Sequence, residues 1–178
     1  MSSEMSAGSK PEFSRRVPLA RIGPEPFRQE IEASEAECAA LARRFDLVAI
    51  DRLTAEVELL RQGLERIRLR ATFAAEFVQN CVVTLDPVAG RVSERFALIY
   101  GPPELENSGV GGIEDEAAFE PLAGDAIDIG EAVAQEFALA LPPFPRSAAA
   151  DEATALPAAD DPGPFAGLAR LIGRDGAG

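Results

Sequence analysis

The residues with the most chemical promise in this chain are arginines. Arg66, Arg68 and Arg70 alternate with Ile67, Leu69 and Ala71, with Arg61 a few positions earlier. Alternation places three guanidinium groups on one face of an extended strand, roughly 6.6 Å apart. A guanidinium pairs bidentately with phosphate or carboxylate, so the ladder could grip an anionic partner. The competing outcome is an ordinary set of surface ion pairs with Glu56 and Glu58 on a neighbouring strand, the commoner fate of exposed charges.

Other chemistries have thinner support. The chain has no histidine, which removes imidazole bases, histidine triads and histidine metal sites. Cys38 and Cys81 fall at apolar positions of a predicted helix and strand and read as small buried hydrophobes. Two distant cysteines do not make a structural zinc site. Gly-Val-Gly-Gly at 109–112 lacks the Gly-Lys-Ser/Thr and the leading strand of a phosphate loop. Glu114, Asp115 and Glu116 lack the alternating spacing of a calcium loop and read as a solvated run, though such a run could engage a basic partner. Glu76 and Asp86 are the carboxylates an acid–base enzyme would use, but nothing in the sequence pairs them with a chemical partner.

The elements that would position these groups centre on residues 65–88. Ile67, Leu69, Ala71, Phe73, Ala75 and Phe77 occupy odd positions and polar residues the even ones, a period of two that buries one face of a long strand. Before it, residues 47–59 read as a partner strand, bulged near Asp51 where the alternation changes phase, with Gly63 supplying a positive φ in the turn. After it, Asp86 and Pro87 end the strand, Ala89 and Gly90 turn the chain, and residues 92–100 make a third strand. Residues 13–17 read as a short edge strand, followed by an irregular, proline-interrupted connection.

Two helices are expected. Ser34 and Glu37 have capping-box spacing ahead of an apolar stripe of Cys38, Leu41, Ala42 and Phe45. Asp128 caps a second, with Glu131 at the box position and Ile129, Val133, Phe137 and Leu141 on one face; Pro142 and Pro143 end it. The expected architecture is α+β: an antiparallel meander with a long central strand, packed with about two main helices, between flexible termini. Residues 1–10 read as a disordered leader, 11–146 as one domain with an acidic loop at 103–126, 147–163 as a flexible linker and 164–173 as a short C-terminal helix.

The 178 residues suffice for one domain with its own core. Net charge is −13, unevenly distributed: residues 1–100 are nearly neutral, whereas 101–162 carry Arg146 alone against fourteen acids. Because nucleic-acid affinity depends on cations that displace counterions, RNA binding stays open for the front half only. No secretory signal or membrane span is visible, so the expected location is the cytoplasm.

Four segments together resemble a family. They are Gln79-Asn80-Cys81-Val82-Val83-Thr84-Leu85-Asp86-Pro87-Val88 with the strand–turn–strand before it, Ile127-Asp128-Ile129-Gly130-Glu131-Ala132-Val133-Ala134-Gln135-Glu136-Phe137, Leu141-Pro142-Pro143-Phe144-Pro145-Arg146, and Pro164-Phe165-Ala166-Gly167-Leu168. In order and spacing they resemble the YceD family, the large ribosomal RNA subunit accumulation proteins, as found in alphaproteobacteria, over roughly residues 11–172. The resemblance implies a non-enzymatic role in accumulation or processing of 23S-type ribosomal RNA and in large-subunit biogenesis, through contact with ribosomal RNA or a large-subunit ribosomal protein. Many members carry Cys-x-x-Cys at the central motif and a later cysteine group, which suggests zinc. Here Cys81 keeps the first position, Thr84 stands at the second and the later group is absent, so no metal or other cofactor is expected. A carboxylate enzyme or a protein-interaction scaffold are the alternatives.

Overall fold

The computed structural model describes residues 11–63, 65–105, 117–122 and 124–153. In chain order the elements are β1 (Arg16–Pro18), β2 (Phe27–Glu32), α1 (Glu35–Arg44), β3 (Ala49–Gln62), β4 (Arg66–Asn80), β5 (Pro87–Gly101), β6 (Ala118–Pro121), β7 (Ala126–Asp128), α2 (Ile129–Ala140) and α3 (Ala148–Ala153). The fold is α+β. Five strands form one sheet in the order β2-β3-β4-β5-β6, antiparallel except for the parallel β5–β6 pair, and β1 pairs separately with β7.

Alternation in β4 sets the layers. Ile67, Leu69, Ala71, Phe73, Ala75 and Phe77 are all buried on the inner face. There Phe137 of α2 meets Phe45, Phe73 and Phe77 edge-on, with ring centroids 6.0, 6.4 and 5.6 Å away. Edge-to-face pairs of this kind add about 0.5–1.5 kcal/mol each beyond the area they bury. The register shift between Ile50 and Arg52 leaves Asp51 as the extra residue, so Leu53 returns to the inner face although the alternation has slipped by one.

Both helix starts are chemically determined. Ser34 and Glu37 form a full capping box. Asp128 accepts from the N–H groups of Gly130 and Glu131, both at 3.2 Å, and also from the Arg15 N–H at 2.7 Å and the Ser14 hydroxyl at 2.5 Å, so one carboxylate caps α2 and anchors the segment that leads into β1. Glu131 does not complete a box; its carboxylate takes the Arg44 guanidinium at 2.7 and 2.9 Å and joins α2 to α1.

Several elements depart from expectation. The edge strand is shorter and later, at Arg16–Pro18, and β2, an element not expected, follows the proline-interrupted connection, with its Ile31 buried opposite Ala55. The β4–β5 turn lies at 81–86 and not at Ala89 and Gly90, which are inside β5. Cys81 therefore lies in the turn, outside the strand. Within the stretch expected to be an acidic loop, β6 pairs with β5; within the stretch expected to be a linker, residues 148–153 are helical.

Candidate binding face and the Cys81 turn

The outer face of the sheet carries the charge. Directly opposite residues share a face, so the register places Arg66, Arg68, Arg70, Thr72 and Glu76 of β4 beside Glu56 and Glu58 of β3 and Arg91, Arg95 and Ala97 of β5. This face bounds an open trough of about 1750 Å³ that reaches from Arg28 and Glu30 on β2 to Arg95 on β5. Small-molecule pockets run to roughly 300–1,000 Å³ and are mainly apolar. A broad, charged trough suits an extended polymer or a protein surface better.

Most outer-face charges with a resolved partner are paired locally. Arg28 donates to Glu58 at 2.8 Å, Arg52 to Glu32 at 3.2 Å and Arg91 to Glu76 at 3.3 Å. Glu58 stands directly opposite Arg70 in the ladder, yet its carboxylate is bonded to Arg28 on the other side. Among the described residues, Arg70 and Arg95 make no ion pair. Arg70 faces Ala97, and Arg95 faces Thr72, so the two arginines are diagonal neighbours across β4 and β5, a separation of roughly 7–8 Å between backbones. Long side chains at that spacing can converge on one anion.

The other candidate residues are dispersed. Arg66 lies at the start of β4 opposite Gln62, and Arg68 is half-buried between Leu60 and Ile99. Arg61 is not brought to this face: it lies opposite Ile67 and donates to the Ile22 and Leu19 carbonyls at 3.0 and 3.1 Å, holding the turn after β1. Glu114, Asp115 and Glu116 lie outside the described residues. Glu76 is engaged by Arg91, Asp86 is exposed in the turn, and neither lines the trough. Nothing local in the sequence marks Arg95, because its proximity to Arg70 exists only through the register of two strands.

The second polar centre lies at the tip of the β4–β5 hairpin. The Cys81 N–H donates to the Asp86 carbonyl at 2.8 Å and the Leu85 N–H to the Cys81 carbonyl at 3.0 Å, closing the turn with Leu85 at φ 62°. The buried Cys81 Sγ accepts from the N–H groups of Val83 and Thr84, both at 3.4 Å, and of Ser147 at 3.3 Å. The Thr84 hydroxyl first, and then these backbone donors, hold the thiol pKa down to about 6. Thr84 Oγ1 also lies 3.2 Å from Ser147 Oγ, and the Val82 N–H donates to the Pro145 carbonyl at 2.9 Å.

As a zinc site this donor set does not fit. Structural zinc takes four nitrogen or sulfur ligands, whereas one thiol and two neutral hydroxyls converge here. Among the described residues no three His, Cys, Asp or Glu side chains cluster to hold an ion.

The molecule is thus an α+β protein with a helix-covered sheet face and an open, charged one, and among its described residues no helix is long and apolar enough to cross a membrane. Residues 69–171 match the family model described as large ribosomal RNA subunit accumulation protein YceD, and the chain belongs to that family. The match takes in β4 from Leu69 onward, the Cys81 turn, β5, α2 and the segment after it, which together contain Arg70, Arg95 and the sulfur centre. No curated protein and no solved structure matches the chain.

Proposed function

We propose that this protein is a cytoplasmic, non-enzymatic factor for accumulation of 23S ribosomal RNA and biogenesis of the large ribosomal subunit, and that it binds ribosomal RNA on the open sheet face around Arg70 and Arg95. The family description supports the process. The observation that carries the surface is the Arg70–Arg95 pair, two cations without carboxylate partners among the described residues on a face where Arg28, Arg52 and Arg91 are all paired. Phosphate is the ligand that compensates both, and Thr72 beside them adds a hydroxyl.

A second reading is favoured by charge: residues 101–162, net −13 and including Glu114, Asp115 and Glu116, would engage a basic large-subunit ribosomal protein. Filter binding of 23S fragments over a salt series separates the two. Two phosphate contacts on a single strand predict a slope of log K against log salt of about −1.4, abolished in the Arg70→Ala/Arg95→Ala variant. Absence of RNA affinity at low salt, or an unchanged slope in that variant, rejects the RNA surface. A normal 23S level and subunit profile after gene deletion rejects the process.

A further inference from the structure

The Cys81 turn has the layout of half a metal knuckle: a sulfur aimed by the N–H groups two and three residues later, and a second segment, 145–147, arriving from beyond α2. In a four-ligand site an ion would join the two segments. Here the Ser147 N–H donates to the same sulfur, the Thr84 and Ser147 hydroxyls lie 3.2 Å apart, and the Val82 N–H reaches the Pro145 carbonyl. The Ser147 hydroxyl also accepts from the Ala150 N–H at 3.2 Å, so the arriving segment is itself fixed in place. Among the described residues, the contacts named at this tip are hydrogen bonds between groups of the chain, and the sulfur is enclosed.

We infer that Cys81, Thr84 and Ser147 form a metal-free clasp, in which hydrogen bonds to sulfur and between hydroxyls join the β4–β5 turn to the segment after α2 in place of a bridging zinc ion. The clasp concerns how this tip is held and is independent of what the open sheet face binds. Its chemistry follows from the donors: neutral hydroxyls are poor zinc ligands but good partners for N–H groups, for a thiol and for each other.

The full chain, refolded with one equivalent of Zn²⁺ and desalted, should retain no stoichiometric zinc, and its melting temperature should be the same with and without EDTA. One zinc per chain, or a chelator-dependent fall in melting temperature, overturns the inference. Thr84→Val keeps the shape and removes the hydroxyl; Thr84→Ser keeps the hydroxyl. Because the thiolate is the nucleophile and the Thr84 hydroxyl favours it, Thr84→Val should make Cys81, located by mass spectrometry, react about tenfold more slowly with a thiol reagent near pH 7, the factor an ordinary hydrogen bond supplies, while Thr84→Ser stays near wild type. Equal reactivity in wild type and Thr84→Val also overturns it.

Discussion

Gly90 stands directly opposite Phe77 on the β4–β5 ladder, and the Phe77 ring occupies the space a side chain at Gly90 would need: a β-carbon there would come within 2.6 Å of a ring carbon. The ring lies over the neighbouring strand's glycine and at the same time meets Phe137 of α2 at 5.6 Å. The glycine is therefore part of how α2 docks.

Gly90→Ala should destabilise the fold by about 1–3 kcal/mol, the usual cost of overpacking, because Phe77 is buried and has little room to turn. Gly23→Ala is the control, since a β-carbon there meets nothing within 4 Å; it should stay within about 0.5 kcal/mol of wild type. Urea denaturation of the two variants reads the difference.

Arg15 grips Glu37 at 2.6 and 2.9 Å, and that pairing above all lowers the Glu37 pKa from 4.5 to about 2. A carboxylate with a depressed folded pKa stabilises above its unfolded value and loses that contribution as pH falls through the folded one. Glu37→Gln should therefore cost about 1–3 kcal/mol near neutrality, and its melting temperature should approach that of wild type as pH drops from about 4.5 to about 2.

The two cysteines should titrate far apart. Burial pushes the Cys38 thiol above 9.0, whereas the Thr84 hydroxyl brings Cys81 to about 6. Thiolate absorbance should rise in one step near 6 and another above 9. Being depressed, the Cys81 pKa adds stability that is complete above 9 and is lost as pH falls toward 6. Thr84→Val should move the lower step upward; a single step above 8 would show that the hydroxyl does not act on the sulfur.

Arg70→Ala/Arg95→Ala should fold as wild type does, with stability changed by no more than about 0.5 kcal/mol, since exposed arginines outside ion pairs contribute little. A large loss of stability would assign them a packing role and leave the open face without its anion site.

Much of the scaffold was legible because it is local. Ser34 and Glu37 are three residues apart, the β4 alternation runs over one strand, and the phase slip at Asp51 lies in the pattern itself. What escaped depends on distance or compensation. β2 was hidden by Pro24 and Pro26 and by polar residues around Ile31, and its strand identity comes from pairing with β3. Gly90 read as a turn because glycine usually marks one, whereas here an aromatic ring on the next strand requires it. Arg61 looked like one more exposed cation, but two backbone carbonyls some 40 positions earlier in the chain hold it on the inner side. The capture of Cys81 by Ser147, 66 positions away, left no local mark.

The anchoring of the first segment has a consequence for how the chain is made. Ser14 and Arg15 bond Asp128 across separations of 114 and 113 residues, β1 pairs with β7, and Gly130 leaves no room for a β-carbon beside the Phe13 carbonyl, only 2.5 Å away. Contacts this remote in sequence slow folding, and here they have no partner until synthesis has passed α2. On a translating ribosome the β3–β4–β5 hairpins can form early, but Phe13, Ser14 and Arg15 must wait for Asp128 and the start of α2 before their contacts can form. The amino-terminal segment therefore reaches its native contacts only after Asp128 and Gly130 have been synthesised.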